Sequence, residues 1–80
     1  MNLDARFVAT VAQVLKINKT LVVPEAVPAK DFGVDSLRVV VMLGALEDAF
    51  QIELPSDVDQ DTSLGSLSEM VSRQLSEATR

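Results

Sequence analysis

The sequence predicts an all-α fold: a small bundle of three main helices plus one short helix, with a long ordered loop between the first and second helices. Three observations carry this. Apolar residues recur at helical spacing in three separate stretches. Proline and glycine cluster between those stretches. The one β-branched run, Leu21-Val22-Val23, has no second run to pair with. Eighty residues make a single domain, 1–80, below the length at which chains divide. Its 48% hydrophobic residues include only three aromatics, all Phe, so the core must be built from Val, Leu, Ile, Met and Ala.

The first helix is expected from Leu3 to Ile17. Leu3, Phe7, Val11, Val14 and Leu15 fall on one face at about 100° per residue. Asn2 is read as the N-cap, Asp4 suits the first turn, and Asn18-Lys19 ends the element. From Thr20 to Asp35, Pro24 and Pro28 prevent a continuous helix. Leu21, Val22, Val23, Val27 and Phe32 nevertheless require this segment to pack, so it reads as an ordered loop. Gly33 permits a tight turn before the next element.

The second helix is expected from Ser36 to Phe50. Val39, Met42, Leu43, Leu46 and Phe50 form a core face. Leu37, Val40, Val41, Gly44, Glu47 and Asp48 gather on the opposite side, so the first half of this helix is apolar nearly all round. Either the preceding loop covers Leu37, Val40 and Val41, or a partner does. Pro55 stops the exit from this helix, and acidic Ser56 to Asp61 is assigned one short helical turn. Ser63 caps the last helix, which buries Leu64, Leu67, Met70, Val71 and Leu75; Ser76 to Arg80 is expected to fray.

What the chain lacks narrows its chemistry. Without Cys there is no disulfide, thiol nucleophile or Cys-ligated metal. Without His there is no imidazole ligand, Ser-His-Asp triad or neutral-pH switch. No catalytic or metal-binding residue is assigned, and a freestanding enzyme is the last choice. The net charge of −5 is uneven. Residues 1–34 carry four basic side chains (Arg6, Lys16, Lys19, Lys30) against three acids, whereas residues 35–80 carry three Arg against nine acids. Such a surface repels nucleic acid and suits a basic protein partner. No apolar run approaches the roughly 20 residues of a membrane span. The start, Met1-Asn2-Leu3-Asp4, lacks signal-peptide character. A soluble cytoplasmic monomer, with neither nucleic acid nor membrane as partner, is the expectation.

The specific signal is Gly33-Val34-Asp35-Ser36-Leu37. Read as structure alone, Asp35 or Ser36 simply caps the helix. The wider context says more. Phe32-Gly33-Val34-Asp35-Ser36-Leu37 is followed by Ala45-Leu46-Glu47-Asp48-Ala49-Phe50, then Ile52-Glu53-Leu54-Pro55, then Thr62-Ser63-Leu64-Gly65-Ser66-Leu67. Over the whole chain this resembles the acyl carrier protein family, with its Leu-Gly-x-Asp-Ser-Leu segment, Leu-Glu-x-x-Phe helix end and Ile-x-Ile-Pro exit.

The resemblance implies an acyl-carrier-like bundle with 4′-phosphopantetheine joined to Ser36 by a phosphodiester. Acyl groups would travel as thioesters on that arm, and partner enzymes of fatty-acid, polyketide or other specialised acyl biosynthesis would do the chemistry. The position fits independently, because a helix N-terminus favours an anionic phosphate. The resemblance further implies that Asp35 helps a phosphopantetheinyl transferase recognise Ser36. It makes Leu37, Arg38, Val40, Val41, Gly44, Glu47 and Asp48 the face met by acyl-loading and acyl-processing enzymes. For Glu47 and Asp48 the plain alternative is an ordinary solvated surface.

The chain departs from the family pattern at three places. Arg38 and Val41 stand where fatty-acid carriers usually have acids, and Gly44 replaces a larger apolar residue. Charge steering should weaken and apolar contact strengthen, as suits a carrier dedicated to a specialised chain. The alternatives are a peptidyl or aminoacyl carrier, a non-covalent helical adaptor docking through Leu37, Val40 and Val41, or phosphorylation of Ser36. Phe7, Phe32, Phe50 and the Met residues are most simply core.

Overall fold

A computed structural model describes residues 3–78. In chain order the elements are α1 (Ala5–Leu15), a 3₁₀ turn (Lys19–Leu21), α2 (Pro28–Phe32), α3 (Ser36–Phe50) and α4 (Leu64–Ala78). The fold is the expected all-α bundle of three long helices and a short one. Among the described residues no helix is long and apolar enough to cross a membrane.

Asp4 starts α1: its carboxylate accepts the backbone N–H groups of Arg6 (2.8 Å) and Phe7 (3.3 Å). Asn2, the expected cap, lies outside the described residues. The helix ends at Leu15, two residues before the expected Ile17, because Lys16 turns left-handed with φ 57°. The N–H groups of Lys16 and Ile17 then both return to the Ala12 carbonyl. Asn18 does not end α1. It caps the 3₁₀ turn, its side-chain oxygen accepting from the Thr20 N–H and hydroxyl, each at 3.0 Å.

The short helix lies elsewhere than expected. Ser56 to Asp61 forms turns held by Asp59, whose side chain accepts the Asp61 N–H at 2.9 Å. Helical turns occur instead inside the first loop, where Pro28 starts α2. Proline at the first helical position loses no hydrogen bond and already has the right φ. Asp31 reaches back to accept the Val27 N–H at 2.6 Å. Gly33 closes α2 with φ 67°, the tight turn expected of it.

Phe7, Val11 and Leu15 of α1 meet Val39, Met42, Leu46 and Phe50 of α3 and Leu64, Leu67 and Val71 of α4 in one core. Leu43, Met70, Leu75 and Phe32 are half-buried at its margin. Val22, Ala26 and Pro28 anchor the loop in it, but Leu21 is half exposed. Met1 lies outside the described residues. Ser63 caps α4, its hydroxyl accepting the Ser66 N–H at 3.2 Å. The helix continues through Ser76 and Glu77 to Ala78, where fraying was expected; Thr79 and Arg80 lie outside the described residues. Its first N–H groups bond to the loop: Leu64 to the Ala26 carbonyl (2.9 Å) and Gly65 to that of Pro24 (2.8 Å). The loop is thereby tied to the start of α4 and holds the turn that leads into α3.

Candidate phosphopantetheine site

Three residues set the entry into α3. Gly33 reverses the chain, Val34 is half-buried, and Asp35 takes the N-cap in extended conformation. The Asp35 carboxylate accepts the Arg38 N–H at 3.0 Å, and its carbonyl accepts the Val39 N–H at 3.2 Å. Capping therefore falls to Asp35, and Ser36 becomes the first helical residue. Ser36 is exposed, and its hydroxyl makes no hydrogen bond among the described residues. A free primary hydroxyl beside the positive end of a helix dipole is a good acceptor for a phosphate ester.

The outer face of α3 is open. Leu37, Val40 and Val41 are 71%, 62% and 51% exposed, so the preceding loop does not cover them. Arg38 and Asp48 are exposed as well. Glu47 departs from the plain solvated reading. It is half-buried, and its carboxylate accepts the Leu54 N–H at 2.8 Å, bracing the exit from α3. Below Gly44 an open groove of about 800 Å³ lies between the ends of α3 and α4, with Glu47, Asp48, Glu53 and Glu77 in its lining.

Lys16 was not among the sequence-predicted site residues. The left-handed end of α1 brings it to a cleft of about 250 Å³ shared with Gly33, Val34, Asp35 and Arg38. Two cations thus stand at the Ser36 end of the molecule, and four carboxylates line the groove at the other end of α3. Gly65 has a structural role as well, at the contact between α4 and the first loop. A Cβ there would come within 2.9 Å of the Pro24 carbonyl oxygen. Its only sequence signal was its place in Thr62-Ser63-Leu64-Gly65.

The comparisons with known proteins agree with this geometry. Residues 5–71 match the family model described as "Phosphopantetheine attachment site". An acyl carrier protein of Syntrophobacter fumaroxidans is 38% identical over 55 residues, 69% of this chain and 68% of its own length. One of Helicobacter pylori is 45% identical over 49 residues, 61% of this chain and 63% of that protein. One of Guillardia theta is 38% identical over 53 residues, 66% of this chain and 65% of that protein. The matched stretch thus spans about two thirds of the length of each of these relatives. The chain belongs to the phosphopantetheine-attachment family and is a member of the acyl carrier proteins, and its cofactor is 4′-phosphopantetheine. The residues present suit that group, since the hydroxyl that would bear it is exposed, unbonded and at a helix start.

Proposed function

We propose that this protein carries acyl intermediates on a 4′-phosphopantetheine arm attached to Ser36 and presents them to partner enzymes. The observation that supports this reading is the free Ser36 hydroxyl at the α3 N-terminus, inside the segment matched by the family. When bound, the arm supplies the thiol that the chain lacks, and cargo is held there as a thioester. The protein's own residues do the presenting. Asp35 fixes the helix start and marks the serine for a phosphopantetheinyl transferase. Leu37, Val40 and Val41 offer apolar contact, flanked by Arg38 and Asp48, with Gly44 between the patch and the acidic end. Glu47 belongs to this face mainly as a brace for the exit turn.

Arg38, Val41 and Gly44 favour a dedicated carrier of fatty-acid, polyketide or other specialised acyl biosynthesis, acting as a cytoplasmic monomer. A second reading, a peptidyl or aminoacyl carrier, is favoured by Arg38 and the apolar face. The loading enzyme that acylates the holo-protein separates the two: malonyl-transferring or acyl-activating for the first, amino-acid-adenylating for the second. The attachment itself is tested by intact mass after co-expression with a broad-specificity transferase. The mass of one phosphopantetheine in the wild type and none in Ser36→Ala is the expected result. An unmodified wild type, or addition that survives the substitution, removes the proposal; a bare phosphate in place of the arm makes Ser36 a kinase target.

A further inference from the structure

Leu37, Val41, Gly44 and Asp48 follow one another along α3 at intervals of four, three and four residues. That spacing sets them in one line down the helix, about 16 Å long. All four are exposed, and the exposed Val40 and Arg38 flank the line. Its two ends carry opposite charge. Arg38 stands at one and Asp48 at the other, about 15 Å apart along the axis, too far to pair with each other. Neither the Arg38 guanidinium nor the Asp48 carboxylate has a partner among the described residues. Between them Gly44 leaves a notch. Glycine is a poor helix former. The chain's own packing does not call for it here, because a Cβ built at Gly44 meets nothing within 4 Å.

These features are self-complementary. In two copies laid antiparallel about a two-fold axis, position 41 of each helix falls opposite position 44 of the other, and position 37 opposite position 48. Val41 of each copy then fills the notch over the other copy's Gly44, which lets the two helices approach closely. Arg38 of each copy reaches the other copy's Asp48, while Leu37 and Val40 leave water at the margins of the contact. A parallel pair would instead set Arg38 against Arg38 and Asp48 against Asp48. Charge therefore fixes the orientation, and a contact of this isologous kind closes at two copies.

We infer that α3 pairs with α3 of a second copy of this chain, forming a transient antiparallel dimer through the line from Leu37 to Asp48. Three helical turns bury less than the roughly 1,200 Å² at which stable interfaces begin. Each copy also carries a net charge of −5, and that repulsion is only partly screened at physiological salt. The pair is accordingly weak, with Kd on the order of 0.1 mM. The monomer remains the working form, and the pair is a resting form in which the face beside Ser36 is closed to enzymes. That consequence rests on the carrier reading, whereas the pairing does not and is measured without it.

The test is sedimentation equilibrium of the unmodified protein at physiological salt, from about 10 µM to about 1 mM, a range that brackets the expected Kd. The wild type is compared with Val41→Asp, Arg38→Glu, Asp48→Arg and an equimolar mixture of the last two. All these positions are exposed, and circular dichroism will confirm that each variant is folded. The wild type is expected to pass from monomer to dimer, and Val41→Asp to associate at least tenfold more weakly. Arg38→Glu alone sets acid against acid at both ends of the pair, and Asp48→Arg alone sets cation against cation. Each is expected to lose about tenfold in self-association, as like charges brought together do. Their mixture places Glu against Arg at one end and Arg against Asp at the other, so it should pair within about threefold of the wild type. A wild type that stays monomeric, or assembles beyond two copies, overturns the inference. So does a Val41→Asp variant that pairs normally, or a mixture no tighter than its separate components. None of these results touches the carrier reading, which falls only if the protein accepts no phosphopantetheine.

Discussion

The Asp35 carboxylate accepts the Arg38 backbone N–H at 3.0 Å, so the residue next to the candidate attachment serine holds the first turn of α3 closed. The contact frees Ser36 from capping and fixes where its hydroxyl emerges. It also joins a structural role to the recognition role proposed for Asp35, and substitution can separate them.

Asp35→Asn keeps a side-chain oxygen of equal capping quality while removing the charge. Thermal stability should change by less than about 0.5 kcal/mol, whereas Asp35→Ala should lose about 1 kcal/mol. Modification of Asp35→Asn by the transferase should nevertheless slow markedly. Wild-type modification kinetics in this variant would confine Asp35 to its cap.

Gly65→Ala tests how α4 is docked. The added carbon meets the Pro24 carbonyl oxygen at 2.9 Å, and that oxygen is a backbone atom with little room to move. The strain should cost about 1–3 kcal/mol, in the range of other overpacking substitutions. Thermal unfolding would report a fall of roughly 4–8 °C for each kcal/mol in a domain of this size. An unchanged midpoint would mean that the loop and α4 are not locked together as described.

Lys16→Gly should do the opposite. Lys16 ends α1 in the left-handed region, at φ 57°, where an L-residue with a Cβ is strained by about 1–2 kcal/mol. Glycine removes that strain but enlarges the unfolded ensemble, for a net gain of about 0.5–1 kcal/mol. Chemical denaturation would show a raised midpoint with an unchanged slope. A loss of stability would mean that the lysine stem contributes packing that outweighs the backbone gain.

Val41→Asp separates folding from docking. The side chain is 51% exposed and lies outside the core, so stability should move by no more than about 0.5–1 kcal/mol. Acylation of the holo-protein by its loading enzyme should weaken severalfold through loss of apolar contact. If partner binding is lost while Ser36→Ala leaves function untouched, the protein is a non-covalent adaptor.

These contrasts follow what the residues could and could not reveal. The long helices were legible because Phe7, Val11 and Leu15, or Val39, Met42, Leu46 and Phe50, repeat at the helical period. The exposed stripe on α3 was legible for the same reason. Pro28 interrupts a continuous helix as expected, but proline marks a helix start as well as a break, and that it opens α2 rests on Asp31 reaching back to Val27, which the sequence alone does not show. The docking of α4 on the first loop was hidden because it runs through backbone N–H and carbonyl groups, which every residue has. Lys16 came to Arg38 and Asp35 only through the packing of α1 on α3, a relationship that no local pattern encodes.

The most direct test is tandem mass spectrometry of the protein isolated from its own cells. The account predicts a phosphopantetheine mass localised to Ser36, with some molecules bearing an additional acyl group that hydroxylamine releases. Protein from those cells that is uniformly bare at Ser36, or that bears the arm on a different residue, would contradict it.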